Sequence, residues 1–216
     1  MTWSNWLVFA GVSLFMAFTP GPAVLLAVSN SVTVGAGRAM LGSVGNALGV
    51  FLVSAVAMAG LGVLLSTSAI AFMLLKVAGA AYLVYLGVKQ WRSGANALGA
   101  ASTSNAPGET APAQSALKLF FNGLTVAVTN PKSILFFTAL FPQFLTPGAP
   151  AVQQFFVLTT TFVVCTVLAH AFYVQVARGL KRVLADARRA RLFSRVSGGA
   201  FVLLGLGLLR LQNRAA

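Results

Sequence analysis

Acidic side chains are nearly absent from this chain. Glu109 and Asp186 are the two acids among 216 residues, and both lie in polar stretches of the sequence. Charged residues make up 8% of the chain, against about 25% in soluble domains, and the mean hydropathy is +0.87. Such a composition cannot cover a water-facing surface. Because isolated apolar segments satisfy their backbone groups in a bilayer only as helices, we expect an all-α integral membrane protein.

The apolar segments are about as long as a helix that crosses the hydrocarbon layer. We predict six spans, at 6–28, 39–65, 67–88, 118–141, 151–176 and 195–211. A polar, low-complexity linker at 93–117 divides the chain into a first three-helix unit at 1–92 and a second at 118–216. The first apolar run lacks a preceding basic region and a cleavage site, so we interpret it as a retained helix.

The basic residues indicate an orientation. Eleven Lys and Arg residues lie in three loops that share one side of the predicted membrane, two lie in the C-terminal tail, and the two loops of the other side have none. The positive-inside rule places those three loops in the cytoplasm and both termini outside. This placement also argues against nucleic-acid binding, despite a net charge of +13. The basic segment 178–195 has apolar residues at helical spacing, so contact with anionic membrane lipids is an alternative to a plain topology signal.

Proline interrupts the first and fourth predicted spans. Thr19-Pro20-Gly21-Pro22 lies roughly 21 Å from the start of its span and Thr129-Asn130-Pro131-Lys132 about 18 Å from its own, so both breaks fall inside the membrane. Residues 77–82 of the third span also resemble residues 196–201 of the sixth. Two units of three spans insert with opposite orientation, so we predict two inverted three-helix repeats with broken helices 1 and 4.

Backbone groups freed by such breaks must be paired inside the protein or line a wet cavity. The start of a half-helix favours a carboxylate, and the carbonyl groups on the other side of the break favour an ammonium group. The helix start and the carbonyl groups together could therefore bind a zwitterion, which has both a carboxylate and an ammonium group. The alternative is a kink that only shapes helix packing.

Three basic side chains in the spans are candidates for function. Lys76 lies close to the predicted midplane, where a lysine is costly and is by default a functional candidate, although its side chain could instead extend to the outer face. Lys132 directly follows the second break. His170 in the fifth span has an unperturbed pKa near neutral, so it is either a hydrogen-bonded packing residue or a proton carrier.

Asn46 lies in the second span among Gly42, Gly45 and Gly49. The glycines predict a face on which another helix packs closely. Asn46 either hydrogen-bonds that neighbouring helix or contributes to a binding site. Asn30, near the end of the first span, is expected at the membrane interface.

Some classes of function are excluded by the residues present. The spans contain no paired carboxylates and no cluster of His, Cys, Asp and Glu, so we expect neither an enzyme nor a metal or cofactor site. The single Cys165 cannot form a disulfide within the chain and is expected to pack as a small apolar residue. A channel-type pore remains an alternative to a carrier, because broken helices also build selectivity filters.

Three motifs in order resemble the LysE/RhtB family, namely residues 18–22, residues 79–83 with Leu86-Gly87, and residues 129–132. The resemblance implies a small exporter of amino acids in the bacterial inner membrane, coupled to the proton gradient. It points to both breaks as site positions. With Asn46 and Lys76, the predicted substrate-binding residues are Pro20, Gly21, Pro22, Asn46, Lys76, Asn130, Pro131 and Lys132.

Three expectations concern the substrate, the proton and the assembly. The spans lack a carboxylate that could pair with a second positive charge, so we expect a neutral substrate, either homoserine/threonine-like or aliphatic, with cationic amino acids as the alternative. Lys76, Lys132 and His170 are the candidates for proton coupling. Glycine-rich helix faces are also compatible with a homodimer.

Overall fold

The computed structural model describes residues 2–67, 114–146 and 148–185, together with separate helical positions between 77 and 92 and between 188 and 206. Residues 93–113 of the predicted linker and Lys76 lie outside the described residues, as do large parts of the third and sixth predicted spans. The described residues form helices and their connections, without a strand. This confirms the predicted all-α class.

Two of the described helices are long and apolar enough to cross a membrane by themselves. These segments are Ala36–Gly60 and Ala151–Ala177, and two bent helix pairs bring the described spans to as many as four. The continuous helices are α1 (Trp3–Phe18), α2 (Pro22–Val34), α3 (Ala36–Thr67), α4 (Ala116–Thr129), α5 (Pro131–Leu135) and α6 (Ala151–Ala185). The first predicted span, 6–28, was therefore too short at both ends, because the helix resumes after its break and continues to Val34.

Both predicted helix breaks are confirmed. The axes of α1 and α2 differ by 52°, and those of α4 and the segment that begins with α5 by 48°. Thr19 and Asn130 each precede a proline and are extended, as the steric clash with the proline ring requires. Each second half begins with proline at its first position, where the missing N–H costs nothing.

The segment after the second break changes its helical form. α5 continues as a π-helix over Phe136–Leu140 and a 3₁₀-helix over Phe141–Phe144. Its buried rings pack against α1 and α6, with Phe136 and Phe162 4.3 Å apart between ring centroids and Phe9 5.0 Å from Phe144. This aromatic cluster fixes the second half-helix at the end of the molecule that carries the N-terminus.

The predicted glycine face of α3 packs on α4. A Cβ atom added to Gly45 would overlap the carbonyl oxygen of Phe120, and one added to Gly123 would overlap the carbonyl oxygen of Gly42. A Cβ at Gly49 would lie 2.5 Å from that of Ala127. The two backbones approach this closely because neither helix has a side chain at these positions. The contact fixes Asn46 of α3 relative to the second break.

Contacts at the two ends show which loops share a side. Asn5 Nδ2 donates to the carbonyl oxygen of Phe144 at 3.1 Å, so the N-terminus lies beside the 145–150 connection. At the opposite end, Arg38 donates to the carbonyl oxygen of Gln114. Arg38 in the first turn of α3 and Lys118 in the first turn of α4 therefore lie at the same end of the molecule.

Candidate functional site

The two helix breaks meet in the interior. Lys132, the second residue of α5, directs its ammonium group to the end of α1, where Nζ donates to the carbonyl oxygen of Thr19 at 2.6 Å. Gly21 lies against the same side chain, because a Cβ there would be 3.4 Å from Lys132 Cδ and 3.8 Å from Nζ. A cation at the C-terminal end of a helix is stabilised by the partial negative charge of the helix dipole.

The two sides of the first break differ in how their backbone groups are paired. At the end of α1, Tyr173 Oη donates to the carbonyl oxygen of Phe18 at 2.6 Å, and Thr19 Oγ1 donates to that of Phe15 at 2.8 Å. The start of α2 has Gly21 as its N-cap and no side-chain cap. A carboxylate is the natural partner for such a helix start.

The start of α5 is different because its own sequence caps it. Asn130 Oδ1 accepts the backbone N–H of Lys132 at 3.1 Å. This hydrogen bond satisfies one of the N–H groups at the helix start that have no partner within the helix. Asn130 therefore stabilises the second break, and the start of α2 is the more available of the two helix ends.

A cavity of about 30 Å³ lies where the breaks meet α3 and α6. Its polar lining comes from Asn46, Asn130, Lys132, Thr166 and His170, with Gly21 at the first break. The cavity has room for roughly one or two water molecules.

A second cavity, of about 10 Å³, lies next to the first between α2, α3 and α6. Asn46 and His170 line both cavities, and Asn30 and Ser43 line the second. Asn30 is one residue before Ser31, whose Oγ donates to the carbonyl oxygen of Val174 near the end of the α6 span. The second cavity therefore extends from the breaks toward the end that carries Arg38.

Several buried polar atoms that line the cavities lack a hydrogen-bond partner within the described residues. Asn46 Oδ1, Thr166 Oγ1 and His170 Nδ1 belong to residues of the larger cavity. Asn30 Nδ2 and Ser43 Oγ belong to residues of the smaller one. Because buried polar groups are normally paired, such a concentration indicates a place where water or a polar ligand binds.

The structure brings most of the predicted site residues together. Gly21, Asn46, Asn130, Lys132 and His170 line one cavity. The prolines at 20, 22 and 131 shape the breaks and are not among the cavity-lining residues, and Lys76 lies outside the described residues.

Asn30 was expected at the membrane interface. Its side chain is buried within the protein, because the first span continues for several residues beyond its predicted end and α3 packs against α2. Ser43 and Thr166 were not predicted. Each has a signal in the sequence, since Ser43 is three residues before Asn46 and Thr166 is four before His170, so each pair shares a helix face.

Cys165 has the packing role that the sequence predicted. Cys165 is buried against Ala17 and Ala169, as a small packing residue would be. Within the described part of the chain, no three residues among His, Cys, Asp and Glu come together in a way that could hold a metal ion.

A polar cavity where two broken apolar helices meet is an arrangement typical of membrane transport proteins. The chain belongs to the LysE type translocator family, whose sequence profile matches residues 14–212. This confirms the resemblance that the motifs indicated.

Individual relatives cover nearly the whole chain. A homoserine/homoserine lactone efflux protein of Salmonella typhi is 33% identical over 95% of this chain and 96% of its own length. An uncharacterized membrane protein of Vibrio cholerae is 31% identical over 97% and 98%. A leucine efflux protein of Salmonella choleraesuis is 35% identical over 72% of this chain and 70% of its own length. These named activities are efflux rather than catalysis, in agreement with the prediction of a non-enzyme. No solved structure matches the chain.

Proposed function

We propose that this protein exports neutral amino acids across the bacterial inner membrane, in exchange for protons. Two relatives are named for the efflux of homoserine or its lactone and of leucine, all uncharged in the side chain. The observation that carries the proposal is the meeting of both helix breaks around a cavity with unpaired polar atoms. This cavity supplies separate partners for the α-carboxylate and the α-ammonium group that all amino acids share.

The carboxylate binds at the start of α2 beside Lys132. Gly21 and the first turn of α2 line the cavity, and no side chain caps this helix. When it is protonated, Lys132 adds a positive charge from the other break. Backbone N–H groups and an ammonium group together recognise a carboxylate through charge-assisted hydrogen bonds.

The substrate's ammonium group binds to other residues of the same cavity. It has three N–H donors, and Asn46 Oδ1, Thr166 Oγ1 and His170 Nδ1 are three buried atoms that can each accept a hydrogen bond. The histidine accepts when it is neutral and protonated on its other nitrogen. These three partners carry no negative charge, so they hold one ammonium group without a counter-ion.

A second positive charge on the substrate is disfavoured. Lys132 already lines the cavity, and both acids of the chain, Glu109 and Asp186, lie outside the predicted spans. An unpaired cation in a low-dielectric interior is costly. Lysine and arginine are therefore poor substrates under this proposal.

Proton coupling is assigned to the titratable side chains of the same cavity. The titratable residues that line this cavity are Lys132 and His170, and each also contacts the proposed substrate. A proton gained or lost there changes the affinity for the amino acid directly. Lys76 remains a third candidate from the sequence.

Export also requires a conformational change. A cavity of about 30 Å³ is too small for an amino acid, so the half-helices must move apart when substrate binds. The Lys132–Thr19 hydrogen bond joins the two breaks across this region. Its rupture and formation would accompany opening and closing.

The packing pattern supports the inverted-repeat proposal. α3 packs on α4, and α6 packs on α1 in the equivalent way. α5 and its continuation pack on α3, as α2 packs on α6. α3 also contacts α6. Exchange of the two repeats maps these contacts onto one another, although the contact between α2 and α3 has no equally extensive counterpart between α5 and α6. The predicted third and sixth spans also touch, because a Cβ at Gly87 would lie 2.6 Å from the carbonyl oxygen of Gly198.

Efflux from preloaded proteoliposomes tests the proposal. Wild-type protein should export homoserine, threonine or leucine saturably, faster with an imposed pH gradient, and lysine should not compete. Lys132→Met should raise KM by roughly 10- to 150-fold, the equivalent of about 1.5–3 kcal/mol for a hydrogen bond to a charged group. Lys118→Met is the matched control, since Lys118 is exposed at the start of α4. Saturable lysine export, or equal kinetics in both lysine variants, would contradict the proposal.

A further inference from the structure

We propose that Asn30 and Ser43 form a side-chain subsite that selects an uncharged amino acid bearing a hydroxyl group. The inference rests on the proposed function and assigns a specificity role to two residues that lie away from the helix breaks. Its starting point is the second cavity, which lies next to the first and shares Asn46 and His170 with it.

The two residues are built into the interior. Asn30 is 5% exposed and Ser43 is 2% exposed, so neither can exchange its unpaired group with bulk water. Asn30 Nδ2 is a donor without a partner, and Ser43 Oγ can both donate and accept. Gly42 leaves space for the Asn30 amide, because a Cβ at that position would lie 3.2 Å from Nδ2.

The chemistry and size of the cavity fit a hydroxyl group. A cavity of about 10 Å³ holds one oxygen atom with its hydrogen, roughly the size of one water molecule. A hydroxyl oxygen would accept from Asn30 Nδ2 while its hydrogen is donated to Ser43 Oγ. A methyl group of the same size would fill the space and leave both polar atoms unpaired.

The position of the subsite relative to the backbone groups is also suitable. The proposed ammonium partners Asn46 and His170 line both cavities, so the space beyond them receives what projects from the α-carbon. A short side chain with a terminal hydroxyl reaches this space. The structure thus favours a hydroxylated substrate over a purely aliphatic one.

Homoserine and norvaline provide a matched pair of probes, because a methyl group in norvaline replaces the hydroxyl of homoserine. Wild-type protein in proteoliposomes should export homoserine with a kcat/KM at least about tenfold above that of norvaline, since a site built for a hydroxyl rejects the analogue that lacks it. This comparison needs no variant, so it does not depend on the folding of a mutant.

Variants then locate the selectivity. Asn30→Leu and Ser43→Ala should each lower the homoserine-to-norvaline ratio toward one, mainly by reducing homoserine transport. Ser54→Ala is the matched control on α3, because the buried Ser54 hydroxyl donates to the carbonyl oxygen of Phe51 within its own helix. It should leave the ratio unchanged.

The outcomes separate the two proposals. Export of both probes with equal kcat/KM would overturn the subsite and leave the exporter intact, with Asn30 and Ser43 binding a structural water only. A wild-type preference that survives in both variants would also overturn it. Failure of the wild type to export any neutral amino acid would refute the proposed function and the subsite with it.

Discussion

Replacement of Gly45 by alanine tests the helix contact on which the site geometry depends. The new Cβ would overlap the Phe120 carbonyl oxygen and lie 2.8 Å from its carbon atom. Ordinary carbon–carbon contacts are about 3.5–4.0 Å, so α3 and α4 must separate by about 1 Å. Overpacking of this kind costs about 1–3 kcal/mol. For a chain of this size, that cost lowers Tm by roughly 2–12 °C.

Thermal unfolding in detergent, followed by loss of the monodisperse peak, measures the effect. Gly60→Ala is the matched control on the same helix, because a Cβ at Gly60 meets nothing within 4 Å. It should leave Tm unchanged or raise it slightly, since alanine favours helix over glycine. Gly45→Ala should also impair efflux, because Asn46 follows directly in the chain. Equal Tm values for the two variants would refute the proposed contact between α3 and α4.

Four other perturbations have defined outcomes. Pro20→Ala and Pro131→Ala should restore helix hydrogen bonds and abolish efflux while membrane insertion persists; normal efflux kinetics would show that the breaks only shape packing. Tyr173→Phe leaves the Phe18 carbonyl oxygen without its donor and should cost about 1–3 kcal/mol, measured as a lower Tm than that of the wild-type protein. His170→Gln should reduce the stimulation of efflux by a pH gradient; full stimulation would leave the proton to a lysine. In a Cys165→Ser background, Gly37→Cys should resist an impermeant thiol reagent applied to intact cells and Val152→Cys should react, whereas the reverse pattern would invert the orientation.

The sequence predicted the helix breaks well because proline acts locally. Pro20 and Pro131 each restrict the residue before them and remove a backbone donor, whatever the tertiary structure. The glycine face around Gly45 was also predictable, since helical spacing places small residues on one side. Both features depend on neighbours in the chain.

The parts of the site that were missed depend on contacts between distant segments. Asn30 is buried because α3 packs over the end of α2, and its place in the first span alone indicated an interface. The contact between Lys132 and Thr19 joins residues 113 positions apart. The sequence identified both breaks as candidates for one site. It did not indicate that Lys132 would reach the end of α1 at the first break. The answer required the packing of all four spans.

A cysteine at Gly21 tests most directly whether the meeting point of the breaks is the substrate site. Gly21 has an extended backbone, and a Cβ there makes an ordinary contact with Lys132, so Gly21→Cys should fold in a Cys165→Ser background. The quantity to measure is the rate at which a small thiol reagent modifies this cysteine in proteoliposomes. The account predicts that saturating homoserine or another exported neutral amino acid slows modification at least about tenfold and that lysine does not. An unchanged rate in the presence of an amino acid that the same protein exports would place the substrate elsewhere and contradict the account.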